Sequence, residues 1–229
     1  MLYLIGIGLQ PKHLTQEALE ALKSCERVYL ENYTSAYSEG SFEGLEDLIG
    51  KAVTRLERRQ VEEEFLAILE EAKTKNIALA VVGNPMNATT HVQVLLDAKE
   101  LGVKTAIIPG ISIFEYVSFT GLERYKFGRT TSIVFHEEDY SPESFYDAII
   151  ANKEMGLHTL CLLDIRSDDG KMMDIRHAIS ILEGIEEKRE ESTLSESIMV
   201  GIAGAGARGF EIRAGPASAL KNSTFSQFP

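Results

Sequence analysis

A chain of 229 residues, 44% of them hydrophobic, has room for one large domain or two small ones and enough apolar material for a core, which excludes a disordered or fibrous protein. Its formal net charge of −12 argues against a broad basic surface for nucleic acid, and suits a cationic small molecule or a basic protein segment better. Cys25 and Cys161 stand far apart without CxxC or zinc-like spacing, so they read as buried thiols of a reducing compartment. The apolar opening, Met1 to Gly8, is too short and too uncharged at its start for a signal peptide, and no apolar run reaches the roughly 18 residues of a membrane span. A soluble, cytoplasmic protein without a membrane or nucleic-acid partner is expected.

In chain order, Leu2-Tyr3-Leu4-Ile5-Gly6-Ile7-Gly8 is the continuous apolar run of a strand buried on both faces. Thr15 is placed to cap a helix with Ala18, Leu19, Ala21 and Leu22 on one side, and Arg27 to Leu30 reads as a second strand. Val61 to Ala72 has the period of an amphipathic helix, with Phe65, Leu66 and Leu69 opposite a row of Glu. Ile77 to Val82 predicts a strand ending in the turn Gly83-Asn84-Pro85, Thr89 to Leu101 a helix stopped at Gly102, and Lys104 to Ile108 a strand. Strands alternating with helices at this spacing imply parallel βαβ units. The second half repeats the theme less regularly: strands at Ser132 to Phe135, Leu157 to Leu163 and Ile198 to Ala203, helices near Pro142 to Lys153 and from about Asp174 to Ile185. The charged run Glu186 to Glu191 reads as a solvated helix end. The pattern is interrupted between Gly110 and Arg129, and two α/β domains are expected, residues 1–112 and 113–229.

Small residues follow the predicted strands at Gly6-Ile7-Gly8-Leu9, at Gly83 through His91, at Pro109-Gly110-Ile111-Ser112-Ile113 and at Ala203-Gly204-Ala205-Gly206. In open α/β sheets ligands bind beyond the carboxyl ends of strands, and glycine lets backbone approach a ligand, so the four turns together point to a ligand site. Gly6-Ile7-Gly8 continues Leu9-Gln10-Pro11 and lacks the third glycine of a dinucleotide fingerprint; no GxxxxGK[ST] is present. His91 is the best-placed catalytic candidate, against a capping or packing role, and no acidic orienter stands out for it. His13, His136, His158 and His177 share no ligand spacing, so no metal is expected, and Ser112 lacks a GxSxG context. Tyr33, Tyr37 and Tyr125 fit core or site equally well.

A resemblance goes further. The run Met1 through Leu9, Glu31-Asn32-Tyr33-Thr34-Ser35, Ala88-Thr89-Thr90-His91, Ser112-Ile113, Thr120-Gly121-Leu122, Tyr125-Lys126-Phe127-Gly128, Gly156 through Ile165 and Ile212-Arg213-Ala214-Gly215 resemble, in this order, segments of the diphthine synthase family, of the tetrapyrrole-methylase type. Ser132-Ile133-Val134-Phe135 and Pro142-Glu143-Ser144-Phe145 are similar to its eukaryotic branch. The resemblance implies two α/β domains with an S-adenosylmethionine cleft between them, usually in a homodimer. It implies cofactor contacts from Leu9, Asn84, Asn87, Ser112, Ile113, Leu163 and the Ala203-Gly204 turn, with S-adenosylhomocysteine as product and no catalytic residue singled out. The implied reaction is successive methylation of the amino group of a 3-amino-3-carboxypropyl histidine on elongation factor 2, with esterification of its carboxylate in eukaryotic members. The chain departs from the family pattern at Asn84, where Asp is usual, at Gly204, often Arg, and in stopping at Pro229, short of the usual carboxyl end. Weighed beside this are a methylase of a tetrapyrrole precursor and a non-catalytic S-adenosylmethionine-binding protein.

Overall fold

The computed structural model describes residues 1–31, 33, 35–166 and 170–227. Asn32, Thr34 and Pro229, named above, lie outside the described residues. The chain divides into two compact units, Met1–Glu115 and Tyr116–Pro229.

In the first unit the elements run β1 (Leu2–Gly6), α1 (Gln16–Ser24), β2 (Arg27–Glu31), α2 (Phe42–Ile49), β3 (Thr54–Leu56), α3 (Arg58–Glu62), α4 (Leu66–Ala72), β4 (Ile77–Val81), α5 (Val92–Glu100), β5 (Thr105–Ile108) and α6 (Ile113–Tyr116), the last crossing the unit boundary. Five strands form one parallel sheet in the order β3-β2-β4-β1-β5. All five residues of β4 are buried, because both faces are covered. On one face Ile5, Ile7, Ala78 and Ala80 pack against Ala18 and Leu22 of α1 and Leu45 and Ile49 of α2. On the other, Leu2, Leu4, Ile77 and Leu79 meet Leu69 of α4 and Val94 and Ala98 of α5. The chain leaves β1 toward α1 on one face and leaves its neighbour β4 toward α5 on the other, so the two exits diverge at the carboxyl edge of the sheet, where α/β folds bind ligands.

Local chemistry sets the ends. Thr15 Oγ1 accepts from Ala18 N and starts α1. The helix read over Val61 to Ala72 is two: Arg59 O accepts from both Glu63 N (2.8 Å) and Glu64 N (3.1 Å), closing α3 before Phe65 begins α4.

The second unit holds β6 (Thr131–Ile133), α7 (Ser144–Glu154), β7 (Cys161–Leu163), β8 (Ile165–Arg166), β9 (Lys171–Met172), α8 (Ile175–Arg189), β10 (Met199–Ala203), β11 (Glu211–Gly215) and α9 (Ala217–Lys221). β6 and β7 pair in parallel, β8–β9 and β10–β11 antiparallel. Ile133, Phe145, Tyr146, Ile181, Leu182 and Ile185 form its core under α7 and α8. α8 runs past Ile185 to Arg189 because Lys188 and Arg189 reach Glu143 (2.6 and 2.7 Å) and Arg189 also pairs with Asp147 (2.6 Å). Among the described residues no helix is long and apolar enough to cross a membrane.

Candidate functional site

Three glycines define the carboxyl edge of the first sheet. A Cβ on Gly110 would lie 2.2 Å from Gly83 O and 2.7 Å from Gly6 C, and one on Gly6 would lie 2.5 Å from Gly110 N. The turns after β1, β4 and β5 therefore meet backbone to backbone, with no space for a side chain. Gly8 and Gly83 bridge the first two turns, Gly83 N donating to Gly8 O at 2.9 Å.

Side chains then stitch the turns together. Asn84 Oδ1 accepts from Met86 N (3.0 Å), an Asx-type turn, while its Nδ2 donates to Gly110 O (3.4 Å). Asn87 Nδ2 donates to Ser112 Oγ at 3.0 Å. Ser112 N and Oγ both donate to Glu115 Oε2, at 2.6 and 2.7 Å, and Ser112 Oγ accepts from Phe114 N at 3.3 Å. With its proton and lone pairs taken internally, the Ser112 hydroxyl fixes the loop rather than projecting from it. The Leu9 side chain stands beside Gly83, 3.8 Å from where its Cβ would be. Leu9 N donates to His13 Nδ1 at 3.3 Å, and burial pushes the His13 imidazole below its ordinary value, in keeping with a neutral acceptor ring.

Of the residues proposed from the sequence, Leu9, Asn84, Asn87 and Ser112 gather at this edge, and Ile113 follows Ser112 as the first residue of α6. Leu163 ends β7, and Ala203 ends β10, in separate strand pairings of the second unit. Gly204 has φ +66°, and a Cβ there would lie 2.8 Å from Gln227 Cβ, so both conformation and space call for glycine.

His91 does not stand at the site surface. It is buried, with Nδ1 3.0 Å from Pro85 O and 2.8 Å from Thr89 Oγ1, and Nε2 3.8 Å from Glu31 Oε2. Two participants escape a reading for catalytic motifs. Glu115 is signalled by the spacing Ser112-Ile113-Phe114-Glu115, a capping box. Glu31 is signalled only as a carboxylate closing an apolar strand.

The groups at this edge are amides and backbone groups, suited to a small polar organic ligand rather than a polyanion. Among the described residues no group of three or more His, Cys, Asp or Glu could hold a metal ion. Comparison with known proteins gives the class: residues 1–221 match the family of Tetrapyrrole (Corrin/Porphyrin) Methylases, and the chain is a methyltransferase of that fold. A diphthine synthase of Methanococcus aeolicus is 40% identical over 201 residues, which are 87% of this chain and 78% of the relative. A diphthine synthase of Methanosphaera stadtmanae is 38% identical over 230 residues, 99% of this chain and 87% of the relative. A crystal structure of a diphthine synthase superposes with TM-score 0.88 at 34% identity, covering 99% of this chain and 86% of that one. The chain belongs to the diphthine synthase family.

Proposed function

We propose that the protein carries out the diphthine synthase step of diphthamide biosynthesis, S-adenosylmethionine-dependent methylation of the 3-amino-3-carboxypropyl histidine of elongation factor 2. The observation that carries the reading is the stitched edge of the first sheet. Glycine-cornered turns from β1, β4 and β5 meet there, with Asn84, Asn87 and Ser112 joining them, in a chain 38–40% identical to diphthine synthases over most of its length. Leu9, Asn84, Asn87, Ser112 and Ile113 would hold the cofactor; Leu163, Ala203 and Gly204 are the further contacts that the family resemblance implies.

The donor set fits such a molecule: backbone carbonyls and amides suit a purine and an amino-acid moiety. S-adenosylmethionine supplies a methyl carbon on a neutral leaving group, so the protein's share is alignment and exclusion of water. His91 is taken up behind the loop and Glu115 Oε2 is held by Ser112, so this reading assigns the reaction no general base. The net charge of −12 favours a basic protein segment over a polycarboxylated ring as acceptor. A cytoplasmic homodimer acting on elongation factor 2 is part of the same reading.

The test is incubation with labelled S-adenosylmethionine and elongation factor 2 carrying the aminocarboxypropyl histidine, followed by mass analysis of that residue. Gain of methyl mass is expected. Cofactor binding without methyl gain would replace this reading with a non-catalytic binder. A sharper expectation concerns Asn87→Ala, which removes the bond to Ser112. One hydrogen bond of about 1 kcal/mol predicts roughly five- to tenfold weaker S-adenosylhomocysteine binding by calorimetry. An unchanged affinity would separate Asn87 from the site.

A further inference from the structure

The loop from Gly83 to His91 is held in a conformation its residues do not favour. Ala88 has φ +53°, in the left-handed region, although it carries a Cβ. Three groups restrain the loop from behind. Thr89 Oγ1 donates to Pro85 O (3.2 Å) and accepts from His91 N (3.0 Å). His91 Nδ1 lies 3.0 Å from the same carbonyl. A carbonyl only accepts, so Nδ1 carries the proton, and Nε2 is left to face Glu31 Oε2 across 3.8 Å. That separation is an ion-pair distance, longer than a hydrogen bond. Both side chains are almost wholly buried, at 2% and 1% exposure.

The register of the sheet explains why the carboxylate is there. Glu31 is the last residue of β2 and pairs with Val81, the last residue of β4, two positions before Gly83. Its other oxygen accepts from Tyr33 N at 3.1 Å, which fixes the carboxylate's direction. A rigid strand end thus presents an acid to the imidazole that grips Pro85 O. Burying such a pair yields little net stability, but breaking it strands a buried charge. That asymmetry suits an element whose purpose is to specify one conformation.

We propose that Glu31 and His91 are positioning residues, a buried clasp that holds the Pro85–Thr89 loop so that Asn84 and Asn87 reach Gly110 and Ser112. The proposal deepens the reading above and rests on that loop holding the cofactor. Two measurements on the whole chain test it: hydrogen exchange of the Met86 and Asn87 amides without ligand, and the dissociation constant for S-adenosylhomocysteine. His91→Ala is expected to speed exchange within residues 84–91 alone and to weaken binding about tenfold or more, raising KM for S-adenosylmethionine while kcat changes less than about threefold. Asn places its amide nitrogen where Nδ1 was, so His91→Asn keeps the bond to Pro85 O but takes away the imidazole that faces the carboxylate charge of Glu31. The double variant H91N/E31Q removes that charge and is expected to return affinity to within about threefold of the parent, a coupling the single variants lack. Parental exchange and affinity in His91→Ala would overturn the clasp. So would exchange that rises evenly through the first unit, the mark of a mere packing residue. If the parent itself does not bind S-adenosylhomocysteine, the functional reading falls, and the exchange pattern alone still decides the clasp.

Discussion

Gly110→Ala is expected to destabilise the first unit by about 3 kcal/mol or more, the upper end of overpacking costs, and to abolish measurable S-adenosylhomocysteine binding. The added methyl would lie 2.2 Å from a backbone oxygen and 2.7 Å from a backbone carbon, Gly83 O and Gly6 C. Neither can swing aside as a side-chain tip would. Each ends a turn from a strand paired to β1 or from β1 itself, so relief requires spreading the turns, which breaks the Asn84 bond to Gly110 O. Gly50→Ala is the control. Gly50 has φ +71° with nothing within 4 Å of its added Cβ, so only the left-handed penalty of roughly 1–2 kcal/mol applies, and binding should survive. Urea midpoints for both variants with calorimetric titration check the pair. Equal midpoints would mean that the close approach of the three turns is not what limits position 110.

The first sheet is legible in the sequence because β1 and β4 are buried on both faces, so apolar runs with turn residues behind them have few other uses. The segment between Tyr33 and Val61 is not. α2 has a clear cap in Ser41, but it follows a stretch rich in Ser, Gly and Glu, and β3 is an edge strand with two of its three residues exposed. β11 hides for the same reason: Arg213 and Ala214 are exposed, and among the described residues it pairs with β10 alone. At the site, Asn84, Asn87 and Ser112 can be found from glycine turns behind strands and from the family resemblance. What His91 does depends on which way its ring points. That is decided by Pro85 O and by Glu31 on a strand 60 positions earlier, a long-range contact that no local spacing encodes.

Asn152→Ala is expected to cost the second unit about 2–4 kcal/mol, since up to three partly buried groups lose partners at once. Asn152, 1% exposed on α7, accepts from Arg129 N at 3.0 Å through Oδ1 and donates through Nδ2 to Arg129 O and Thr159 Oγ1, both at 2.9 Å. The fit is close enough that a Cβ on Gly128 would lie 2.1 Å from Oδ1. The same node joins two of the segments that carry the family resemblance: Gly128 N donates to His158 O, His158 N to Lys126 O, and Leu157 N to Asn152 O. Residues 125–128 and 156–159 thus owe part of their character to one another. Asn152→Asp separates shape from chemistry. Its outline is nearly that of Asn, but an ionised carboxylate has no donor for Arg129 O and repels it, so this variant should melt no higher than Asn152→Ala. A second readout is local. Tyr125 is 99% exposed on the segment that Asn152 anchors, and trypsin sites at Arg124, Lys126 and Arg129 lie beside it. Cleavage there should quicken in both variants well below their melting temperatures. Parental melting with parental cleavage would leave Asn152 a buried amide whose bonds contribute nothing beyond the packing around it.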